Sequence, residues 1–88
     1  MDWTINYSDK ALKSLKKMDK QSAKRIVSFL SGRIGKLDDP RLLGKQLKGE
    51  FGDFWRYRVG DYRILCSIND GKLTILAATI GHRKSVYD

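Results

Sequence analysis

The hydrophobic period of this chain changes at Asp53. From there to Ile80, large apolar residues recur at every second position in three runs, Phe54 to Val59, Tyr62 to Ile68 and Lys72 to Ile80, separated by Gly60-Asp61 and Asp70-Gly71. Two-residue connections between alternating runs are hairpin turns. Gly60 in the first central position suits type II′, and Asp70-Gly71 suits type I′. The expected structure is a three-stranded antiparallel meander whose register follows from the turns: Val59 faces Tyr62, Arg58 faces Arg63, Tyr57 faces Ile64, Arg56 faces Leu65 and Trp55 faces Cys66. Alternation puts Trp55, Tyr57, Val59, Tyr62, Ile64, Cys66 and Ile68 on one side, joined by Leu73, Ile75 and Ala77 of the third run. That apolar side must hold the rest of the chain.

The rest is helical apart from one strand. Trp3-Thr4-Ile5-Asn6-Tyr7 alternates and predicts a strand. Ser8 stands at an N-cap position with Asp9 in the first turn, and Ala11, Leu12, Leu15 and Met18 follow at helical spacing. Asp19 is a second cap. Ala23, Ile26, Val27, Leu30, Ile34 and Leu37 continue the stripe in a longer helix ending near Gly35. Two helices with almost no linker form a hairpin, closed by Asp38-Asp39-Pro40. Residues 41 to 52, with Gly44, Gly49 and Gly52 among lysines, read as a loop anchored at most by Leu42, Leu43 and Leu47. The expectation is an α+β fold: an N-terminal strand, a helical hairpin and a three-stranded meander in one sheet, with the helices on one face. A chain of 88 residues with 41% hydrophobic content has material for one core, so residues 1 to 88 are expected to form a single domain.

The same register collects charge on the opposite face. Arg56, Arg58 and Arg63 all point there, with Arg58 directly beside Arg63. Opposed like charges destabilise a sheet, and an anion relieves them; a carboxylate from Asp53 or Asp61 is the plainer alternative. Gly81 lets the chain bend after the last strand, bringing His82, Arg83 and Tyr87 toward the same region. Four guanidiniums, an imidazole and a tyrosine on one concave face describe a site for a phosphodiester with a base stacked on the ring. Arginine suits that task because its rigid fork matches phosphate and stays charged.

Composition agrees with an acidic partner. Eighteen Lys and Arg against ten Asp and Glu give a net charge of +8. The lysines at 10, 13, 16, 17, 20 and 24 decorate the helices as a solvated surface and take no site role. Cys66 and His82 are the only residues of their kinds, so neither a disulfide within the chain nor a zinc cluster is expected, and no cofactor is implied. Cys66 reads as a small buried hydrophobe. No apolar run is long enough to span a membrane and residues 1 to 10 do not read as an export signal, which points to the cytosol.

The strings Leu47-Lys48-Gly49, Phe54-Trp55-Arg56-Tyr57-Arg58, Gly60-Asp61-Tyr62-Arg63 and Gly81-His82-Arg83-Lys84-Ser85-Val86-Tyr87, in this order, resemble the RelE/ParE superfamily of bacterial and archaeal toxins, and within it the RelE branch. The likeness covers essentially the whole chain. It implies the toxin of a type II toxin–antitoxin system, a ribosome-dependent endoribonuclease that enters the vacant A site and cuts messenger RNA there. The 2′-hydroxyl attacks the adjacent phosphate and leaves a 2′,3′-cyclic phosphate. It also implies an acidic RelB-like antitoxin, a toxin–antitoxin hetero-oligomer and no membrane association. By position, Arg56 and Arg58 fall where relatives carry phosphate-contacting lysines that help activate the hydroxyl. Arg63 matches the arginine that stabilises the transition state, Arg83 the one proposed as general acid, and Tyr87 the tyrosine that stacks on the base.

One departure has a chemical consequence: a lysine can lose its proton, whereas arginine, with a pKa above about 12, cannot serve as a base. Arg56 and Arg58 are therefore expected to clamp, and the proton goes to His82, to Tyr87 or to a ribosomal group, or activation is electrostatic. His82, the only histidine of the chain, is the candidate assisting base. Two other functions share these features: a ParE-like toxin that inhibits DNA gyrase without catalysis, and a basic nucleic-acid-binding module.

Overall fold

The computed structural model describes residues 2–49 and 52–82. Strand β1 (Thr4–Tyr7) leads directly into helix α1 (Asp9–Lys17), and α1 into α2 (Lys20–Gly32). Ser8 serves two elements at once. Its hydroxyl oxygen accepts the Ala11 amide at 3.0 Å, capping α1, while the hydroxyl donates to the Ala78 carbonyl at 2.6 Å. Asp19 caps α2 by accepting the Ser22 amide at 3.0 Å. The helical stripe is legible in the core, where Ala11, Ile26 and Leu30 are fully buried. Each large aliphatic so buried contributes about 1.5–3 kcal/mol.

Helix α2 stops earlier than the apolar spacing suggests. It ends at Gly32, and a single 3₁₀ turn (Ile34–Lys36) follows, still burying Ile34. The early stop lets the Gly35 carbonyl accept the Trp3 amide at 2.8 Å, which ties the helical hairpin to β1. A side chain at Gly35 would press on the Leu30 and Trp3 carbonyls, at 3.2 and 3.4 Å from its Cβ.

The expected loop from 41 to 52 contains structure that the glycines and lysines hid. Pro40–Leu43 forms a 3₁₀ turn capped by Asp39, and Lys45–Gln46 forms a short strand, β2, at the sheet edge. Leu42, expected as an anchor, is 72% exposed, and Leu43 is exposed too. The anchors are Pro40, buried beneath the turn, and Arg41. The Pro40 carbonyl accepts the Tyr57 hydroxyl at 2.6 Å. The Arg41 guanidinium donates to both Asp70 oxygens at 3.1 and 2.6 Å, and its carbon lies 5.9 Å from the centre of the Trp55 ring.

Strands β3 (Trp55–Val59), β4 (Tyr62–Asn69) and β5 (Thr74–His82) form the meander. The sheet order is β1-β5-β4-β3-β2, with β1 parallel to β5 and the remaining pairs antiparallel. All five expected β3–β4 pairs are present, from Trp55–Cys66 to Val59–Tyr62. Gly60 has φ of +59° and Asp61 does not share the positive region, the φ pattern of type II′ and not of type I′.

The second turn differs. Asp70–Lys72 forms a 3₁₀ turn, the Asn69 side chain accepts the Lys72 amide at 3.2 Å, and Leu73 takes the left-handed conformation at φ 48°. The loop is therefore four residues long and not two, because Asn69 caps a tight helical turn in preference to the Asp-Gly bend. Strand β5 starts at Thr74, and Leu73, expected on the apolar face, lies exposed in the turn. The register moves by two residues, which preserves the faces, so Ile75 and Ala77 still reach the core. A bulge then inserts Ala78, since Cys66 pairs with Ala77 but Leu65 with Thr79. The Ala78 carbonyl is the one that Ser8 satisfies. The bulge reverses the parity of β5, returning Ile80 to the core beside Ile64.

Candidate nucleic-acid interface

The helices occupy one face of the sheet, and the arginines occupy the other. Arg58 is the direct partner of Arg63, and Arg56 of Leu65, so three guanidinium-bearing residues project from adjacent positions of β3 and β4. A two-residue turn makes Val59–Tyr62 the closing hydrogen-bonded pair, and the next pair, Arg58–Arg63, then belongs to the closer non-hydrogen-bonded class. Their environments differ. Arg63 is 5% exposed, Arg56 is half-buried and Arg58 is exposed. On the other flank Arg63 faces Gly81, brought there by the β5 bulge, so no neighbouring side chain on β5 competes for its space. Arg58, Gly60, Asp61, Tyr62 and Arg63 line a small depression of about 40 Å³ at the turn.

Among the described residues no carboxylate neutralises the exposed member. Among the described residues Arg58 makes no ion pair, and Asp53 and Asp61, its neighbours in sequence, pair with no arginine. Lys36 pairs with Asp2, and Arg41 with Asp39 and Asp70, at positions away from the cluster.

The structure adds a cation that sequence reasoning missed. Lys45 of β2 is the direct partner of Arg56 and shares its face. The two-residue strand was invisible because Gly44 and the surrounding lysines suggest loop. The signal for it lies in packing. A Cβ at Gly44 would stand 2.9 Å from the Tyr57 ring, so the chain must be bare there to run along β3.

The sequence places His82 beside the arginines, but in the structure the bulge pairs it with Tyr62, whose side chain faces the helices. The two rings meet edge to face with centroids 5.7 Å apart. His82 lines a cleft of about 320 Å³ with Asp19, Ser22, Arg25 and Tyr62, on the other side of the sheet from Arg58 and Arg63. One inserted residue in β5, unreadable from the hydrophobic pattern, reverses where it points. Arg83 and Tyr87 lie outside the described residues.

Two remaining titratable groups belong to the core. Burial pushes the Tyr57 phenol well above its usual value and the Cys66 thiol up to about 12, and both side chains pack under the helices. Among the described residues no group of three His, Cys, Asp or Glu is placed to hold a metal ion, and no helix is long and apolar enough to cross a membrane.

The five-stranded sheet with a helical hairpin on one face is the α+β fold of solved RelE toxins. A family model described as the ParE toxin of type II toxin–antitoxin systems matches residues 5–87, and the chain belongs to that family. Within it the likeness is to the RelE branch. The chain is 28% identical over 87 residues to Toxin RelG of Mycobacterium tuberculosis, covering 99% of this chain and 98% of that one. It is 35% identical over 79 residues to Toxin RelE3 of Methanocaldococcus jannaschii, covering 88% and 86%. Among solved structures, the toxin–antitoxin complex RelBE2 from Mycobacterium tuberculosis superposes with a TM-score of 0.86 at 26% identity, covering 94% of this chain and 93% of that chain. The protein is a RelE-like toxin of a type II toxin–antitoxin system.

Proposed function

We propose that this toxin is a ribosome-dependent endoribonuclease that cuts messenger RNA in the A site. The observation that carries the reading is the Arg58–Arg63 pair with Arg56 beside it, on the face that the helices leave uncovered. In the proposed reaction the messenger 2′-oxygen attacks the adjacent phosphorus, negative charge gathers on the non-bridging oxygens, and the 5′-oxygen leaves. The protein's part is to align the nucleotide and to hold that charge. Arg56 and Arg58 clamp flanking phosphates. Arg63, fixed by burial, meets the charge that develops at phosphorus. The resemblance assigns Arg83 as general acid and Tyr87 as the stacking ring. His82, on the helix side, has no part in this assignment.

The partner is a RelB-like antitoxin of net negative charge, drawn to a chain of +8. The RelBE2 complex supports this pairing by likeness. Co-expression should give a hetero-oligomer far less basic than the toxin.

Mapping messenger ends in translating ribosomes tests the activity. Codon-spaced cuts with the parental toxin, lost with Arg63→Gln, are the expected result. Intact messenger with gyrase-linked DNA breaks would replace the reading with a gyrase-directed one, and neither effect would leave a binding module.

A further inference from the structure

With arginine at 56, 58 and 63, none of which can give up its proton, and with His82 turned to the helix side, the proposed reaction needs a proton acceptor on the arginine face. The structure brings one there. Lys45 stands directly opposite Arg56, and it is the only lysine among the described strand residues on that face. Directly paired Cβ atoms lie about 4.5–5.5 Å apart and diagonal ones about 7–8 Å, so a lysine stem reaches the space above Arg56 and Arg58. Its amine, unlike a guanidinium, can exist without its extra proton.

We propose that Lys45 takes the proton of the attacking 2′-hydroxyl, an inference that rests on the nuclease reading above. The neutral Nζ accepts the 2′-proton and becomes an ammonium as the 2′-oxygen–phosphorus bond forms. The phosphorus–5′-oxygen bond then breaks, and the leaving oxygen takes a proton from a general acid or from water. Lys45 afterwards returns its proton to solvent. The transfer places a new positive charge beside the phosphorane when its negative charge is greatest. A carboxylate base such as Asp61, in the turn next to the arginine pair, would instead become neutral at that moment.

Single-turnover cleavage of A-site messenger by the full chain, followed across the pH range in which ribosomes stay intact, tests this with Lys45→Arg. Arginine keeps the charge and the phosphate contact and removes only the basicity, and the site is exposed, so the fold is retained. The expected result is a rate about 100-fold lower, typical of a lost general base, with the half-saturating toxin concentration unchanged. The parental rise of rate with pH should flatten in the variant. A Lys45→Arg rate equal to the parental one at every pH overturns the proposal, as does transfer of both effects to Asp61→Asn. Absence of cleavage by the parental toxin would instead overturn the nuclease reading itself.

Discussion

Arg58 and Arg63 face each other across the β3–β4 hairpin, one exposed and one buried, on the side of the sheet that carries no helix. Two cations in directly opposed positions cost a sheet some tenths of a kcal/mol. Arg58→Thr removes the repulsion and inserts a residue that favours strands. Chemical denaturation should show the variant more stable by about 0.5 kcal/mol, while messenger cleavage falls. A variant both less stable and fully active would show that the pair serves packing.

Gly44 is required by contact. Its alanine variant brings a Cβ to 2.9 Å from the Tyr57 ring, and Tyr57 is 1% exposed with its hydroxyl fixed on Pro40. The ring has nowhere to move. Gly44→Ala should lower stability by about 1–3 kcal/mol, read from the denaturant midpoint, and should weaken cleavage because it displaces β2 and Lys45. An unchanged midpoint would contradict the packing described.

Cys66 offers a probe of global opening. Burial pushes its thiol up to about 12, so the native protein should resist thiol-directed alkylation at neutral pH and react at the rate of unfolding. The folded state keeps the proton longer than the unfolded chain, whose thiol titrates near 9.0. Stability from this group is therefore whole below pH 9 and declines as the pH climbs toward 12. Thermal midpoints of the parental protein should fall over that interval more steeply than those of Cys66→Ala.

At the acid end the Arg41 clamp is the element to watch. The Arg41 guanidinium holds the Asp70 carboxyl below its ordinary range, so the attachment of the 3₁₀ turn to the β4–β5 loop persists above that range and fails as the pH drops through the lowered value. Asp70→Asn should remove this part of the acid dependence of the thermal midpoint. Asp70 is largely exposed and Arg41 partly so, and the effect on neutral stability is small.

How far the sequence reaches is clear from particular residues. The β3–β4 register follows from Gly60 alone, because a positive φ at one position fixes the turn and the turn fixes every pair behind it. The helix caps at Ser8 and Asp19 are equally local. What escapes is decided at long range. The choice of a four-residue loop depends on the Asn69 side chain, the bulge on a carbonyl that Ser8 satisfies from 70 positions away, and strand β2 on the fit of Gly44 against Tyr57. Strand β2 places Lys45 on the arginine face, and the bulge removes His82 from it.

The central claim is that the arginine face, and not the lysine-rich helices, receives RNA phosphate. Its most direct test is an NMR titration of the protein with a short RNA carrying 2′-O-methyl groups, which binds without being cut. The side-chain Nε–Hε signals of Arg56, Arg58 and Arg63 should shift together, with the β3 and β4 amides. Shifts confined to α1 and α2, with those arginine signals unmoved at saturation, would contradict it.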